Sequence, residues 1–330
     1  MREFAYETPD SVDAAIALLA EHDGDARIIA GGTNLVDLMK LDVERPALLV
    51  DVSGLALDEI AETDDGGVRI GAMVRNSDLA AHPLIRRRYP AVTQAIVAGA
   101  SGQLRNMATV GGNLLQRTRC VYFTDATKPC NKRMPGTGCP ARDGEHRNLA
   151  ILGASDACIA TNPSDFAVPL AAFDAVVHTR GDYGDRDIPL AEFYRAPDDE
   201  PHRETTLPAG AVITGISLPS SELAARSTYR KVRERASYAF AIGSIAAAVD
   251  VRDGVVHDVR IALGAVAPMP WRARAAEQAL VRRPATADSF RAAADAELDA
   301  ARPLRDNAYK VPLVRNLIAR TLATLSEVDA

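Results

Sequence analysis

Two short stretches, Ala30-Gly31-Gly32-Thr33-Asn34 and Thr109-Val110-Gly111-Gly112-Asn113, constrain this chain more than any other feature. The apolar strand pattern Arg27-Ile28-Ile29-Ala30 runs straight into the first glycine pair, and a helical pattern opens at Leu35. At such a junction backbone N–H groups come close to a ligand because no Cβ blocks the approach. The start of the following helix favours an anion. Two loops of this kind are able to clasp one diphosphate from opposite sides. A third polar turn, Asn162-Pro163-Ser164-Asp165, ends on a carboxylate that can accept hydrogen bonds from sugar hydroxyls. The first loop alone also reads as a tight turn at positive φ. It is not the dinucleotide fingerprint G-x-G-x-x-G, and no acidic residue stands at the matching later position.

Around these loops the chain reads as mixed α and β structure. Thr8 or Asp10 is placed to cap a helix whose stripe is Val12, Ile16 and Leu19. The runs ALLVDVS and VRIGAMV read as strands, 76–82 and 84–99 as helices with the latter interrupted or opened near Pro90, CIATNPSD as a strand and FAVPLAAFD as a helix. Polar, proline-punctuated sequence from 180 to 210 suggests a boundary between units 1–205 and 206–330, and 330 residues suit two or three modest domains. The second unit shows a hairpin turning at Asp253-Gly254, then helical stretches at 271–283, 286–300 and 307–325.

A net charge of −6 and a pI near 5.6 argue against nucleic acid as a partner. Arg86-Arg87-Arg88 reads as a solvated helix end. The longest apolar runs fall short of the roughly 20 residues that span a bilayer, and the first residues do not read as a signal peptide. The expected compartment is the cytoplasm, or the periplasm if a partner bearing a signal carries the chain out.

Three of the four cysteines, Cys120, Cys130 and Cys139, crowd into one turn-rich segment, and Cys158 follows in SDACIA. The segment, about 117–158, reads as a loop inserted into the first unit. The spacing C-x9-C-x8-C-x18-C lacks the short knuckles of structural zinc. Disulfides remain open in an oxidising compartment, and thiolate ligation of a [4Fe–4S] cluster suits soft iron. Lys128, Lys132 and Arg133 offer positive charge to such a cluster, and Gly136 and Gly138 offer N–H groups to its sulfurs. His146 is the nearest alternative ligand to Cys158.

RIIAGGTNLVDLMK and RNMATVGGNLLQ are similar to the flavin-binding segments of the FAD subunit in molybdenum hydroxylases. The likeness continues through NPSDFAVPLAAFDAVV, ITGISLP and YRKVRERASYAFAIGSIAAAV, and so covers nearly the whole chain. Within that family the chain most resembles the [4Fe–4S]-containing flavin subunit of periplasmic-type aldehyde oxidoreductases. The resemblance implies an α+β or α/β fold, with a p-cresol methylhydroxylase-type FAD domain in two lobes and a smaller C-terminal α/β domain of the CO dehydrogenase flavoprotein type. It also implies that Ile28, Ile29, Ala30, Gly31, Gly32, Thr33, Asn34 and Leu35, with Thr109, Gly111, Gly112 and Asn113, hold the diphosphate and its neighbours. Asp165 would meet ribityl or adenosine hydroxyls, Ile216 would pack against or backbone-bond the flavin, and Lys231 would stand beside its ring. Cys120, Cys130, Cys139 and Cys158 would bind the cluster. Implied partners are a molybdopterin-binding large subunit and a [2Fe–2S] small subunit, with substrate chemistry on the former. The chain shows no nucleophile–base pairing of its own. Competing expectations are a stand-alone flavin oxidase or dehydrogenase of this fold and a zinc-bound scaffold without activity.

Overall fold

In the computed structural model, which describes residues 1–22 and 24–328, the strands form three sheets. The first sheet holds β1 (Ala5–Glu7), β2 (Ala26–Ile29) and β3 (Leu48–Asp51), parallel and in the order β1-β3-β2. The helix Val12–Glu21 joins β1 to β2 and buries Ala15 and Leu19 against Ala26, Leu48 and Val50. Its cap is Ser11, not Thr8 or Asp10: the Ser11 hydroxyl accepts from the Ala14 N–H at 3.2 Å, meeting one of the helix's unpaired donors.

The second sheet contains β4 (Ile60–Glu62), β5 (Val68–Gly71), β6 (Val176–Gly181), β7 (Gly184–Pro189) and β8 (Val212–Leu218) in the antiparallel order β4-β5-β8-β6-β7. Helices Asn76–Ala81, Pro83–Arg88, Pro90–Ala98 and Ala167–Ala172 share its core with Tyr89, Phe166 and Phe193. The interruption expected near Pro90 falls at Tyr89, and Pro90 opens a new helix at its first position. β8 pairs with β5 and β6, so the first unit runs past Leu218, beyond the 205/206 boundary expected from the polar stretch.

The third sheet, β9 (Thr228–Val232), β10 (Gly243–Arg252), β11 (Val255–Gly264) and β12 (Trp271–Arg272), is antiparallel in the order β12-β11-β10-β9. The hairpin turns at Asp253 (φ 51) and Gly254 (φ 73), the pair of positive φ values that a tight two-residue turn demands. Ile245, Ala247 and Val249 alternate onto a core filled by helices Arg274–Leu280, Ala287–Leu298 and Lys310–Val328. Ala246, Ala248 and Ala262 face the other way, into the core of the first unit. The C-terminal unit, expected as α/β, is instead an antiparallel sheet with helices on one face, and its small second face docks on the first unit.

Between Leu114 and Ala167 regular structure is confined to the helix Val121–Thr124 and the turn Pro140–Arg142. The strand expected in CIATNPSD does not form. That segment is pinned by single bonds instead, Ala150 N–H to Ile159 O and Asn162 N–H to Ala267 O, both 2.9 Å. Among the described residues no helix is long and apolar enough to cross a membrane.

Candidate cofactor site

Both glycine stretches border one cleft of about 760 Å³, inside the range of roughly 300–1,000 Å³ typical of small-molecule sites. Ile28 through Leu35, Thr109, Gly111, Gly112, Asn113 and Asp165 all line it. The stretches meet directly. A Cβ on Gly31 would lie 1.9 Å from the Met107 carbonyl oxygen, so only glycine permits this approach. Gly32 turns the chain at φ +69.

The two stretches differ in what they offer. In the second, four of the five backbone donors are committed: Val110 to Val74 O (3.0 Å), Gly111 to Ala72 O (2.9 Å), Gly112 to the Thr109 hydroxyl (3.2 Å) and Asn113 to Thr109 O (2.8 Å). In the first, the N–H groups of Gly31, Gly32, Thr33 and Asn34 have no partner among the described residues. A clasp with donors on both sides thus becomes one row of donors facing a closely packed wall.

Side chains complete the cleft. Asn113 Oδ1 accepts from the Ser164 hydroxyl (2.8 Å) and Gln116 Nε2 (2.6 Å), which ties the second stretch to the NPSD turn. Asp165 accepts from Tyr229 Oη (2.5 Å) and Lys231 Nζ (2.7 Å). Lys231 is buried behind that carboxylate, with its ammonium also on Ala98 O at 3.2 Å, and does not border the cleft itself. Burial, and then the charge of Asp165, push the Tyr229 phenol well above its ordinary value, so it stays a donor.

Ile216 is taken out of the cleft. It is fully buried in the core of the second sheet, and Val212 and Ile213 of the same strand border the cleft instead. A bulge shifts the alternation here, since His178 pairs with Gly215 and Thr179 with Ile213, skipping Thr214, so that Ile213 and Ile216 share one core while Val212 packs in another. Asn76 was not legible as a site residue. Its side chain is 5% exposed and borders the cleft, and its Oδ1 has no hydrogen-bond partner. Tyr238 and Phe240, half exposed beyond β9, close the rim.

These features fit FAD. Four free N–H groups suit a diphosphate. Asp165 suits hydroxyls, and the orphaned Asn76 oxygen calls for a donor that the protein does not supply.

The four cysteines also come together. Cys120, Cys130, Cys139 and Cys158 line one small cavity with Phe123, Lys132, Ala141 and Ala160, and all four are free thiols. Burial raises the Cys120 and Cys139 thiols and pushes Cys158 up to about 11, although nearby Lys132 pulls the last back. Thiols in such a setting give up their protons only to a strong cation. Among the described residues, no group of three or more His, Cys, Asp or Glu side chains is set to hold a metal ion. His146 does not reach the cavity: Nδ1 faces Ala141 O at 3.1 Å and Nε2 accepts from the Asp306 N–H at 3.1 Å. The Gly138 N–H is bonded to Asn131 Oδ1 (2.7 Å), and neither Gly136 nor Gly138 borders the cavity.

Fold and cleft together suit a nucleotide-cofactor protein, with an open glycine junction at the cleft and not the usual fingerprint. Residues 2–221 match the family described as FAD binding domain in molybdopterin dehydrogenase, and residues 226–325 match the CO dehydrogenase flavoprotein C-terminal domain. The chain belongs to this family of molybdopterin dehydrogenase FAD subunits. It is 50% identical over 324 residues to the aldehyde oxidoreductase FAD-binding subunit PaoB of Escherichia coli (strain K12), covering 98% of each chain. It is 26% identical to the carbon monoxide dehydrogenase medium chain of Hydrogenophaga pseudoflava, over 97% of this chain and 96% of that one. A solved structure of carbon monoxide dehydrogenase from the same organism superimposes with a TM-score of 0.77 at 27% identity, covering 99% of this chain and 98% of the other.

Proposed function

We propose that this chain is the electron-transfer flavin subunit of a molybdenum-dependent aldehyde oxidoreductase. It works beside a molybdopterin-binding large subunit and a [2Fe–2S] small subunit and carries a [4Fe–4S] cluster on Cys120, Cys130, Cys139 and Cys158. The observation that carries the flavin reading is the donor row Gly31–Asn34, opening onto a cleft that also holds Asp165 and the unpaired Asn76 oxygen. The aldehyde reading rests on likeness to the Escherichia coli subunit.

Bound FAD supplies storage for two electrons and exchange of one at a time. The chain's own residues fix where it sits. The Gly31–Asn34 N–H groups hold the diphosphate, Asp165 orders hydroxyls, and the Lys231–Asp165 pair sets the local field. For the thiols, the donor set carries the reading: four free cysteines line one space, with no His, Asp or Glu among the lining residues. An all-thiolate set suits the soft iron of a cluster, and the spacing lacks the short knuckles of structural zinc.

The test is anaerobic addition of an aldehyde to this chain alone and to the assembled complex, following flavin absorbance. Bleaching only in the complex supports the reading. Bleaching in the isolated chain moves the function to a stand-alone flavin dehydrogenase, and a flavin left oxidised in the active complex removes it from the electron path.

A further inference from the structure

A cluster held by four thiolates gathers negative charge among apolar side chains, and charge in such surroundings requires a partner. Three cations lie between Cys120 and Cys139, and the structure separates them. Lys128 is exposed. Arg133 turns away, donating to Tyr122 O (2.9 Å) and Phe123 O (2.7 Å), where it closes the helix Val121–Thr124. Lys132 alone borders the thiol cavity, with 7% of its side chain exposed.

Its ammonium is held in place. It donates to Pro201 O at 2.9 Å and lies 3.5 Å from Glu204 Oε2. The other Glu204 oxygen accepts from Arg117 Nε at 2.7 Å, and Arg117 Nη1 donates to Glu44 at 2.5 Å. The Arg117 backbone N–H reaches Asn34 Oδ1 at 2.8 Å, and its guanidinium lies 4.5 Å from the centre of the Phe123 ring. Phe123 walls the thiol cavity, whereas Asn34 ends the donor row of the flavin cleft. A ladder of alternating charge therefore runs from one cofactor space to the other.

We propose that Lys132 is the positioning residue that sets the reduction potential of the cluster, with Glu204 as its counterweight. This rests on the cluster reading above. A fixed cation beside the cluster stabilises its reduced, more negative state, so losing the cation lowers the potential. Removing the carboxylate that offsets the cation has the opposite effect. A side chain that merely filled space would not produce shifts of opposite sign at two positions.

The experiment is a redox titration of the cluster's electron paramagnetic resonance signal in the assembled enzyme, with iron and sulfide counted in each sample. Lys132→Met lowers the midpoint, Lys132→Arg restores it, Glu204→Gln raises it, and Arg133→Gln leaves it in place. An unmoved midpoint in both Lys132→Met and Glu204→Gln overturns the assignment while leaving the cluster intact. If Lys132→Met assembles no cluster, the sign of the shift in Glu204→Gln decides. A wild-type chain without iron refutes the cluster reading itself, and the role of Lys132 with it.

Discussion

Replacing Gly31 with alanine tests the geometry of the flavin cleft most sharply. The added Cβ would stand 1.9 Å from Met107 O and 2.6 Å from Met107 C, both backbone atoms that cannot swing aside. The Met107–Ala108 backbone has to retreat by about 1 Å to reach even the 3.0 Å below which Cβ contacts are essentially never seen. Overpacking of this kind costs about 1–3 kcal/mol of stability. It also moves the donor row by a comparable distance, enough to stretch a hydrogen bond beyond useful length. Loss of two bonds to a charged diphosphate, at about 1.5–3 kcal/mol each, weakens FAD at least a hundredfold. Gly112→Ala is the control. Its Cβ meets only the Thr109 hydroxyl at 3.1 Å, and alanine in a helical turn gains up to about 1 kcal/mol over glycine. That variant keeps its stability. The assay is FAD rebinding to the deflavinated variants by fluorescence quenching, alongside thermal melting. Full-strength FAD binding and an unchanged melt in Gly31→Ala would refute the close packing of the two stretches.

Lys231→Met leaves the Asp165 carboxylate without its cation beside the cleft, so the flavin midpoint potential falls. An equal or higher midpoint in a redox titration removes Lys231 from the flavin's field. Cys158→Ser cuts bound iron in an elemental assay while FAD is retained, because the donor row and the thiol cavity use different residues; unchanged iron contradicts the fourth-ligand assignment. Lys310 is fully buried on Asn148 O and Ala265 O, both 2.8 Å, and burial lowers it from 10.5 to about 7. Between about pH 7 and 10.5 the unfolded chain binds a proton that the folded chain does not, so this residue's contribution to stability rises with pH. Urea midpoints of wild type and Lys310→Met therefore draw apart in favour of wild type from pH 7 to 9, and parallel curves contradict this.

What was legible in the sequence was local. A glycine pair between a strand and a helix declares an open backbone, and both stretches line the same cleft. Hydrogen-bond accounting was not legible. Nothing in Thr109–Asn113 reveals that Ala72 and Val74, which lie on a distant turn, take up its donors. Ile213 and Ile216 would fall on opposite faces of a regular strand, and only the bulge at Thr214 puts both in one core, with Ile213 at the border of the cleft. Asn76 gives no signal, because its burial comes from chain crossing at Ala108, whose carbonyl accepts the Asn76 N–H at 2.9 Å. Lys128, Lys132 and Arg133 were equivalent as sequence, and packing against Pro201 and Glu204 separates them.

The central claim is that one chain holds both a flavin, on the Gly31–Asn34 row, and a cluster, on the four cysteines. The most direct measurement is flavin, iron, zinc and acid-labile sulfide per chain in protein purified without air. The account predicts one FAD with four irons and four sulfides, and no zinc. Flavin accompanied by zinc, or by no metal, would contradict the cluster half, and iron without flavin would contradict the reading of the cleft.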